Sequence, residues 1–428
     1  MKNNTWHSDL SLRLRREQFQ VMNLGTVLVT GGAGFLGSHL VEALLNLGSK
    51  QVNHIHCVDV VPYKNPSSDS SLRNRLTSHV VDLRNVNAIK KLINETQPTV
   101  IFHLASVVDV RPIKTQAVMD INVGGTANLL LAASSCSSTK AFVYCSSLDV
   151  VYSGYPMDYI SETAPYTNAN SFRWWVPGNY YCVSKARAEE MVLAANSNDE
   201  QGDRLKTCAL RPGHLFGERD AILDFFVRLP CTVSTSGGMS MQYIGNTAAI
   251  HILAARALLA RDKNVMGEAF NMADRDISFS QFYGKILQPT HAAHKPPMLL
   301  PIPYLFLFFI GLTFDFFDFL LNILGQFLTP FLMCCRIRKR GNPLLLRFPR
   351  HPALCLCSAS ALESSEHHRT NLTKGHKTFH YNEMFGKTSQ DNIRLYTWEE
   401  SIERTRNWAQ NKMINHPKHR TIGYSFQG

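Results

Sequence analysis

Tyr181 and Lys185 are separated by three residues in Tyr181-Cys182-Val183-Ser184-Lys185, a spacing that on a helix sets a phenol and an ammonium on one face. Oxidising an alcohol to a ketone needs a base for the hydroxyl proton while hydride leaves the carbon, and the reverse reaction needs an acid at the same place. A free tyrosine titrates near 10, so work near neutral pH demands a shift of about three units, roughly 4 kcal/mol. A lysine cation about 4 Å away, at an effective dielectric of about 20, supplies an interaction of that order. Lys185 is therefore expected to activate Tyr181, and it is placed to hold a nicotinamide ribose as well. Upstream, Tyr144-Cys145-Ser146-Ser147-Leu148 ends an apolar run with two hydroxyls. One of them can hydrogen-bond the substrate oxygen, and Ser147 is favoured over Ser146; a turn or a helix cap is the structural alternative for either. Tyr180 reads as packing.

Hydride needs an acceptor, and the stretch from Val27 to Gly37, VLVTGGAGFLG, offers a place for one. A pyrophosphate requires a turn tight enough for backbone N–H groups to approach it, followed by a helix whose N-terminus carries positive dipole. Gly31, Gly34 and Gly37 supply the turn, the close approach and the close packing of the helix that follows, with Phe35 and Leu36 in its first turn. The next apolar run ends in Asp59, about twenty residues on, where a carboxylate accepts hydrogen bonds from an adenosine ribose and favours NAD over NADP. The same glycines fit a looser pattern from Gly32, so the turn by itself is only moderately specific.

The surrounding pattern is that of an α/β chain. From Thr26 onward, short apolar runs alternate with helical stretches, which predicts a Rossmann-type doubly wound parallel sheet. Strands are expected over 78–83, 99–104, 140–146 and 206–210, and helices over 115–134 and 181–196. After about residue 215 the alternation weakens into a loop over 230–240, a helix over 247–261 and a strand at 270–272. The expected divisions are an N-terminal extension at 1–24, the cofactor domain at 25–215 and a smaller C-terminal substrate lobe at 216–297. A hydrophobic segment at 298–335, an irregular basic insertion at 336–375 and a C-terminal helix and tail at 376–428 complete the chain.

Composition narrows the class. The 428 residues carry a formal charge of +11, which suits nucleic acid, an anionic membrane or a merely solvated surface. Basic residues are not interleaved with aromatics, which argues against nucleic acid. In the late hydrophobic stretch Asp315 and Asp318 argue against a simple membrane span, since a central carboxylate costs roughly 2.5 to 3.5 kcal/mol on insertion scales. An interfacial helix or re-entrant hairpin is cheaper, and Arg336, Arg338, Lys339 and Arg340 suit anionic headgroups. The ten cysteines show no metal spacing, and His39, His103, His214 and His251 read as structural, so no metal site is expected. No signal-peptide core is present near Arg13, Arg15 and Arg16. Thr397-Trp398-Glu399-Glu400 predicts a capped terminal helix.

Taken together, Thr30-Gly31-x-x-Gly34-x-x-Gly37, Asp82-Leu83, His103-Leu104-Ala105-Ser106, Asn122-Val123-x-Gly125-Thr126, Ser146-Ser147, Tyr181-x-x-x-Lys185 and Leu210-Arg211-Pro212 follow the order of the extended short-chain dehydrogenases. Within them the chain resembles the 3β-hydroxysteroid dehydrogenase group, which includes Δ5-isomerase enzymes and decarboxylating sterol-4-carboxylate 3-dehydrogenases. Cys208-Ala209-Leu210-Arg211-Pro212, Tyr243-Ile244-x-Asn246, Gly267-Glu268-Ala269-Phe270 and Leu395-Tyr396-Thr397-Trp398 carry that resemblance. It implies Tyr181 as acid/base, Lys185 as activator and ribose ligand, and Ser147 or Ser146 as polariser of the substrate. It also implies that Asp82 and Leu83 contact adenine and that Ala105 and Pro212 line the cofactor. The expected activity is oxidation of a steroid or sterol 3β-hydroxyl with NAD in preference to NADP, a coupled Δ5-isomerisation or C4 decarboxylation being left open, at a membrane surface on the cytoplasmic face of the endoplasmic reticulum, with a homodimer left open. An epimerase or non-steroid carbonyl reductase, and a non-catalytic NAD-binding membrane protein, are the alternatives. The stretch 336–375 and the sequence from 381 to 394 depart from the group's pattern.

Overall fold

The computed structural model describes residues 22–64, 74–108, 116–152, 157–158, 161–168, 180–197, 204–226, 231–234, 238–287, 298–301, 368–369 and 393–415. Its main sheet is built from runs that are apolar almost throughout, as strands covered on both faces must be. These are β1 (Thr26–Thr30), β2 (His54–Asp59), β3 (Leu76–Val80), β4 (Val100–His103), β5 (Ala141–Cys145), β7 (Lys206–Pro212) and β11 (Ala269–Met272). They pair in the order β11-β7-β5-β4-β1-β2-β3, every pair parallel. The order reverses between β1 and β4, and a parallel sheet opens a crevice at the carboxyl ends of the strands at that point.

Helices cover both faces. On one side α1 (Phe35–Asn46) buries Leu36, Leu40, Val41, Leu44 and Leu45. It shares a core there with α7 (Ile244–Leu259). On the other lie α2 (Val86–Thr96), the pair α3 (Gln116–Met119) and α4 (Thr126–Ser135), and α5 (Tyr180–Ala194). Between α3 and α4 the chain widens into a π-helical turn at Asp120–Gly125, within what the sequence predicts as one uninterrupted helix. The remaining helices are α6 (Ala221–Phe226), α8 (Phe279–Leu287) and α9 (Trp398–Asn415).

A second, smaller sheet follows β7. In it β10 (Gly238–Tyr243) runs parallel to β8 (His214–Phe216) and antiparallel to β12 (Arg275–Ser278). Two short parallel pairs join β9 (Cys231–Ser234) to β13 (Met298–Pro301) and β6 (Met157–Asp158) to β14 (His368–Arg369). Two expectations change here. The stretch 230–240, read as a loop from its glycines and serines, contains β9 and the start of β10. The hydrophobic segment begins as strand β13, because a short apolar run carries the same signal for either element. From residue 302 to 335 that segment lies outside the described residues, and no described helix is long and apolar enough to cross a membrane. Although β11 and α7 fall in the stretch 216–297, they belong to the main sheet and its cover.

Polar ties fix the layers to one another. His103, fully buried, joins Thr30 Oγ1 at 2.7 Å to Thr126 Oγ1 at 2.8 Å, binding β1, β4 and α4. Arg211 on β7 and Glu189 on α5 form a buried ion pair at 2.6 Å, and the Tyr166 hydroxyl donates to the same carboxylate at 2.7 Å. The last helix is capped as expected: Thr397 N donates to Glu400 Oε2 at 2.8 Å and Glu400 N to Thr397 Oγ1 at 3.3 Å. Asn246 on α7 receives the strand-like entry to α9, with Nδ2 donating to the Tyr396 carbonyl at 3.0 Å and Oδ1 accepting from Tyr396 N at 2.7 Å.

Burial pushes His103 down to about 3 and His251 down to about 4, so both are neutral in the folded protein. Below the unfolded value near 6.5 the unfolded chain takes up protons that the folded chain does not, and stability falls with pH. Burial also lowers His56 to about 4, and it raises Asp220 to about 6, which opposes one of the three histidines. The net effect is a loss of stability as the pH falls from 6 to 4. Thermal melts across that window should shift steadily downward on acidification; an unchanged melting temperature would contradict the assignment.

Candidate active site

The glycine turn joins β1 to α1 at the switch point. Gly31 has φ +69°, and a Cβ there would lie 2.6 Å from Ala105 N, so the turn presses on the end of β4. A Cβ on Gly37 would lie 2.0 Å from the Gly31 carbonyl oxygen, which makes the first turn of α1 rest on the backbone of the glycine turn. Gly34 is the N-cap of α1 and no side chain caps the helix, leaving its first-turn N–H groups and positive end for a ligand. Asp59, at the end of β2, reaches across to this turn. Its Oδ2 accepts from Ala33 N at 3.0 Å and its Oδ1 from Val60 N at 2.7 Å. Glycine cradle, uncapped helix and carboxylate thus stand together, an arrangement that fits a dinucleotide.

The other predicted cofactor contacts are distributed around the crevice. Leu83 is buried against Gly125, where an added Cβ would meet its side chain at 2.9 Å. Asp82 is more exposed and its carboxylate is held by the Arg84 guanidinium at 2.5 Å, which keeps it below the usual carboxylate range. Pro212 closes β7 beside Met272. Phe35 and Leu36 open α1, Leu36 in the core and Phe35 packed against it.

Tyr181, Lys185 and Ser147 converge at the carboxyl ends of β5 and α5's neighbouring strands. Tyr181 is 7% exposed and shares a hydrogen bond with Ser147. Ser147 caps a 3-10 turn at Leu148–Val151, its Oγ accepting from Asp149 N at 3.2 Å and donating to Asp149 Oδ2 at 2.9 Å. The cap reading of this serine holds, and its hydroxyl also lies beside Tyr181. Ser146 is buried at the end of β5, with its backbone N–H on the Leu210 carbonyl.

Lys185 differs from the sequence expectation in what it touches. Its ammonium donates to the Cys145 carbonyl at 2.5 Å and lies 4.2 Å from the centre of the Tyr144 ring. Burial pushes it down to about 8. The Tyr181 phenol is pushed well above its ordinary value, first by burial and then by the charge of Asp149, with the Ser147 hydrogen bond opposing. Spacing puts both groups on one helix face, but it does not reveal that the lysine is turned to the backbone of β5.

Two residues gain roles that the sequence did not suggest. Asn122, in the π-helical turn, donates to the Val107 carbonyl at 3.0 Å and to Ser184 Oγ at 2.9 Å, tying the loop after β4 to α5 between Tyr181 and Lys185. Asp149 stands beside Ser147 and acts electrostatically on Tyr181, Cys182 and His214. A serine followed at the second position by an acid was the available signal. His39 and His251 bond the carbonyls of Phe35 and Thr247 within their own helices, in keeping with structural roles. Among the described residues no cluster could hold a metal ion.

The order of these residues along the chain is that of a known family. The 3-beta hydroxysteroid dehydrogenase/isomerase family matches residues 28–302, well over half of the chain. The protein belongs to this family. Among curated relatives, it is 29% identical over 293 residues to a sterol-4-alpha-carboxylate 3-dehydrogenase, decarboxylating, of Schizosaccharomyces pombe, covering 66% of this chain and 79% of the relative. The Saccharomyces cerevisiae protein of the same name is 32% identical over 260 residues, covering 58% and 70%. Solved structures share the family's fold at lower identity. A UDP-N-acetylglucosamine 4-epimerase from Methanobrevibacter ruminantium aligns with a TM-score of 0.56 at 16% identity, over 92% of this chain and 100% of that one. MoeE5 in complex with UDP-glucose and NAD aligns at 0.56 and 19%, over 91% and 100%.

The glycine geometry makes a graded prediction. Gly37→Ala must displace backbone and should lower stability by about 2 kcal/mol or more, whereas Gly34→Ala, whose Cβ would meet only the Gly31 oxygen at 3.2 Å, should cost less than about 1 kcal/mol. Denaturant unfolding of the two variants checks this; equal losses would contradict it.

Proposed function

We propose that the protein is an NAD-dependent oxidoreductase that converts the 3β-hydroxyl of a steroid or sterol to the ketone. The observation that carries this reading is the convergence of Tyr181, Ser147 and Lys185 at the open end of the same sheet that bears the Gly31–Gly37 turn. The backbone N–H groups at the start of α1 would hold the pyrophosphate, and Asp59 the adenosine ribose. Val60 and Val61 follow Asp59 and bring no cation for a 2′-phosphate, which favours NAD over NADP. When bound, the nicotinamide supplies the hydride acceptor and a positive charge beside Tyr181.

In this reading Ser147 hydrogen-bonds the substrate oxygen and holds it against the Tyr181 phenol. Tyr181, as phenolate, takes the hydroxyl proton while hydride leaves the carbon; in reduction it gives the proton back. A phenol raised by burial needs an added positive charge before it can act as a base near neutral pH; the bound nicotinamide would bring one, and Lys185 lies one helical turn along the same face. Lys185, anchored on the Cys145 carbonyl, fixes the floor of the site and is placed for the nicotinamide ribose. The buried Glu189–Arg211 pair keeps α5 in register with β7, so Tyr181 and Lys185 stay aligned with the strand ends.

The family and the names of its curated relatives support a sterol or steroid as the alcohol. The apolar composition of 302–335 and the cations Arg336, Arg338, Lys339 and Arg340 support association with an anionic membrane surface, at the cytoplasmic face of the endoplasmic reticulum, where such a substrate dissolves. Tyr181→Phe removes only the proton-transfer group and should lower turnover at least ~10²-fold with NAD affinity nearly intact. Nicotinamide absorbance with 3β-hydroxysteroids, together with NAD titration, checks both; full residual turnover would overturn the mechanism.

A further inference from the structure

We infer that Ser147 and Asp149 form the path by which the proton taken from the alcohol leaves the protein. The inference rests on the reading of Tyr181 as the group that takes that proton. Oxidising an alcohol yields a ketone, a hydride on the nicotinamide and one proton, and the proton must pass from the phenol to water before Tyr181 can serve again. Tyr181 is 7% exposed, so direct release is hindered. Its phenol shares a hydrogen bond with Ser147. The Ser147 hydroxyl in turn donates to Asp149 Oδ2 at 2.9 Å. Asp149 is only half-buried, so a chain that starts on a buried phenol ends on a carboxylate that meets water.

The transfer needs no added reactant. The phenol O–H bond breaks as its proton bonds to Ser147 Oγ, and the original Ser147 O–H bond breaks as that proton passes to Asp149 Oδ2. The carboxylic acid so formed gives its proton to water, which leaves a phenolate at Tyr181, a hydroxyl at Ser147 and a carboxylate at Asp149. The link is held in shape: Asp149 N donates to Ser147 Oγ at 3.2 Å, within the cap of the 3-10 turn. In reduction the same path runs inward. Two other polar side chains sit against this stretch of α5, and neither offers an acceptor. Lys185, pushed by burial down to about 8, is an ammonium near neutral pH, with donors and no lone pair, and it donates to the Cys145 carbonyl. Asn122 has its oxygen on Val107 N at 2.8 Å and its amide hydrogens on the Val107 carbonyl and Ser184 Oγ. An ionised carboxylate accepts at about four positions, so further partners of Asp149 leave the route from Ser147 in place.

The test compares the full-length protein with Asp149→Asn and Asp149→Ala, using NAD and a 3β-hydroxysteroid in dilute buffer. Neither replacement can take up the proton, so kcat should fall about tenfold or more in each, and either variant alone carries this comparison. NAD affinity, titrated without steroid, should stay that of the unsubstituted protein. Formate restores a carboxylate in the space that alanine leaves, and it should raise kcat of Asp149→Ala while leaving the unsubstituted protein unchanged. Formamide, of the same shape but unable to accept the proton, should not. An unaltered kcat in the variants, no rescue by formate, or equal rescue by formamide overturns the relay and leaves Tyr181 as the base. No oxidation of any 3β-hydroxysteroid by the unsubstituted protein overturns the relay and the reading beneath it together.

Discussion

A Cβ on Gly37 would lie 2.0 Å from the Gly31 carbonyl oxygen and 2.6 Å from Gly32 Cα, so α1 can rest on the glycine turn only while that position has no side chain. Everything at the cofactor end follows from this contact. It aims the uncapped N-terminus of α1 along the sheet, and it keeps the turn low enough for Gly31 to press on Ala105 at the end of β4. Because β1 and β4 flank the point where the strand order reverses, the contact also fixes where the crevice opens. Asp59 then reaches Ala33 N from the neighbouring strand and completes the cradle.

The end that carries Tyr181 and Lys185 is positioned by a different device. Both ride on α5, and α5 is held to the sheet by charge as well as by the apolar packing of Ala188 and Val192: Glu189 and Arg211 are nearly inaccessible to solvent and satisfy each other through several hydrogen bonds. A buried pair of this kind contributes little net stability against an apolar replacement, but breaking it strands a charge, so it enforces register. Asn122 adds a second clamp through Ser184, within the turn that carries Tyr181 and Lys185. A π-helical turn is what brings Asn122 to that place, and such turns often mark functional sites.

Much of this was legible in the residues. The glycine spacing, the carboxylate ending β2, the Tyr181–Lys185 face and the Ser147 hydroxyl all depend on local spacing, and the structure gathers them into one crevice. The capping box of α9 was equally local. What escaped depends on distant partners. Whether Lys185 faces Tyr181 or the Cys145 carbonyl is decided by β5, forty residues away in sequence. Asp149 carries no signal of its own in the sequence; its place beside Ser147 and Tyr181 is set by the fold. The strands β9 and β13 were hidden for another reason: one is edged by glycine and serine, the other is an apolar run too short to have a period.

In the proposed reaction hydride leaves C3 of the alcohol at this site. A 3β-hydroxysteroid bearing deuterium in place of hydrogen at C3, incubated with the protein and NAD, tests it directly. Deuterium recovered on the reduced nicotinamide, with slower turnover than for the unlabelled steroid, is the predicted result. Ketone formed without label on the nicotinamide, or no reduction of NAD by any 3β-hydroxysteroid, would contradict the account.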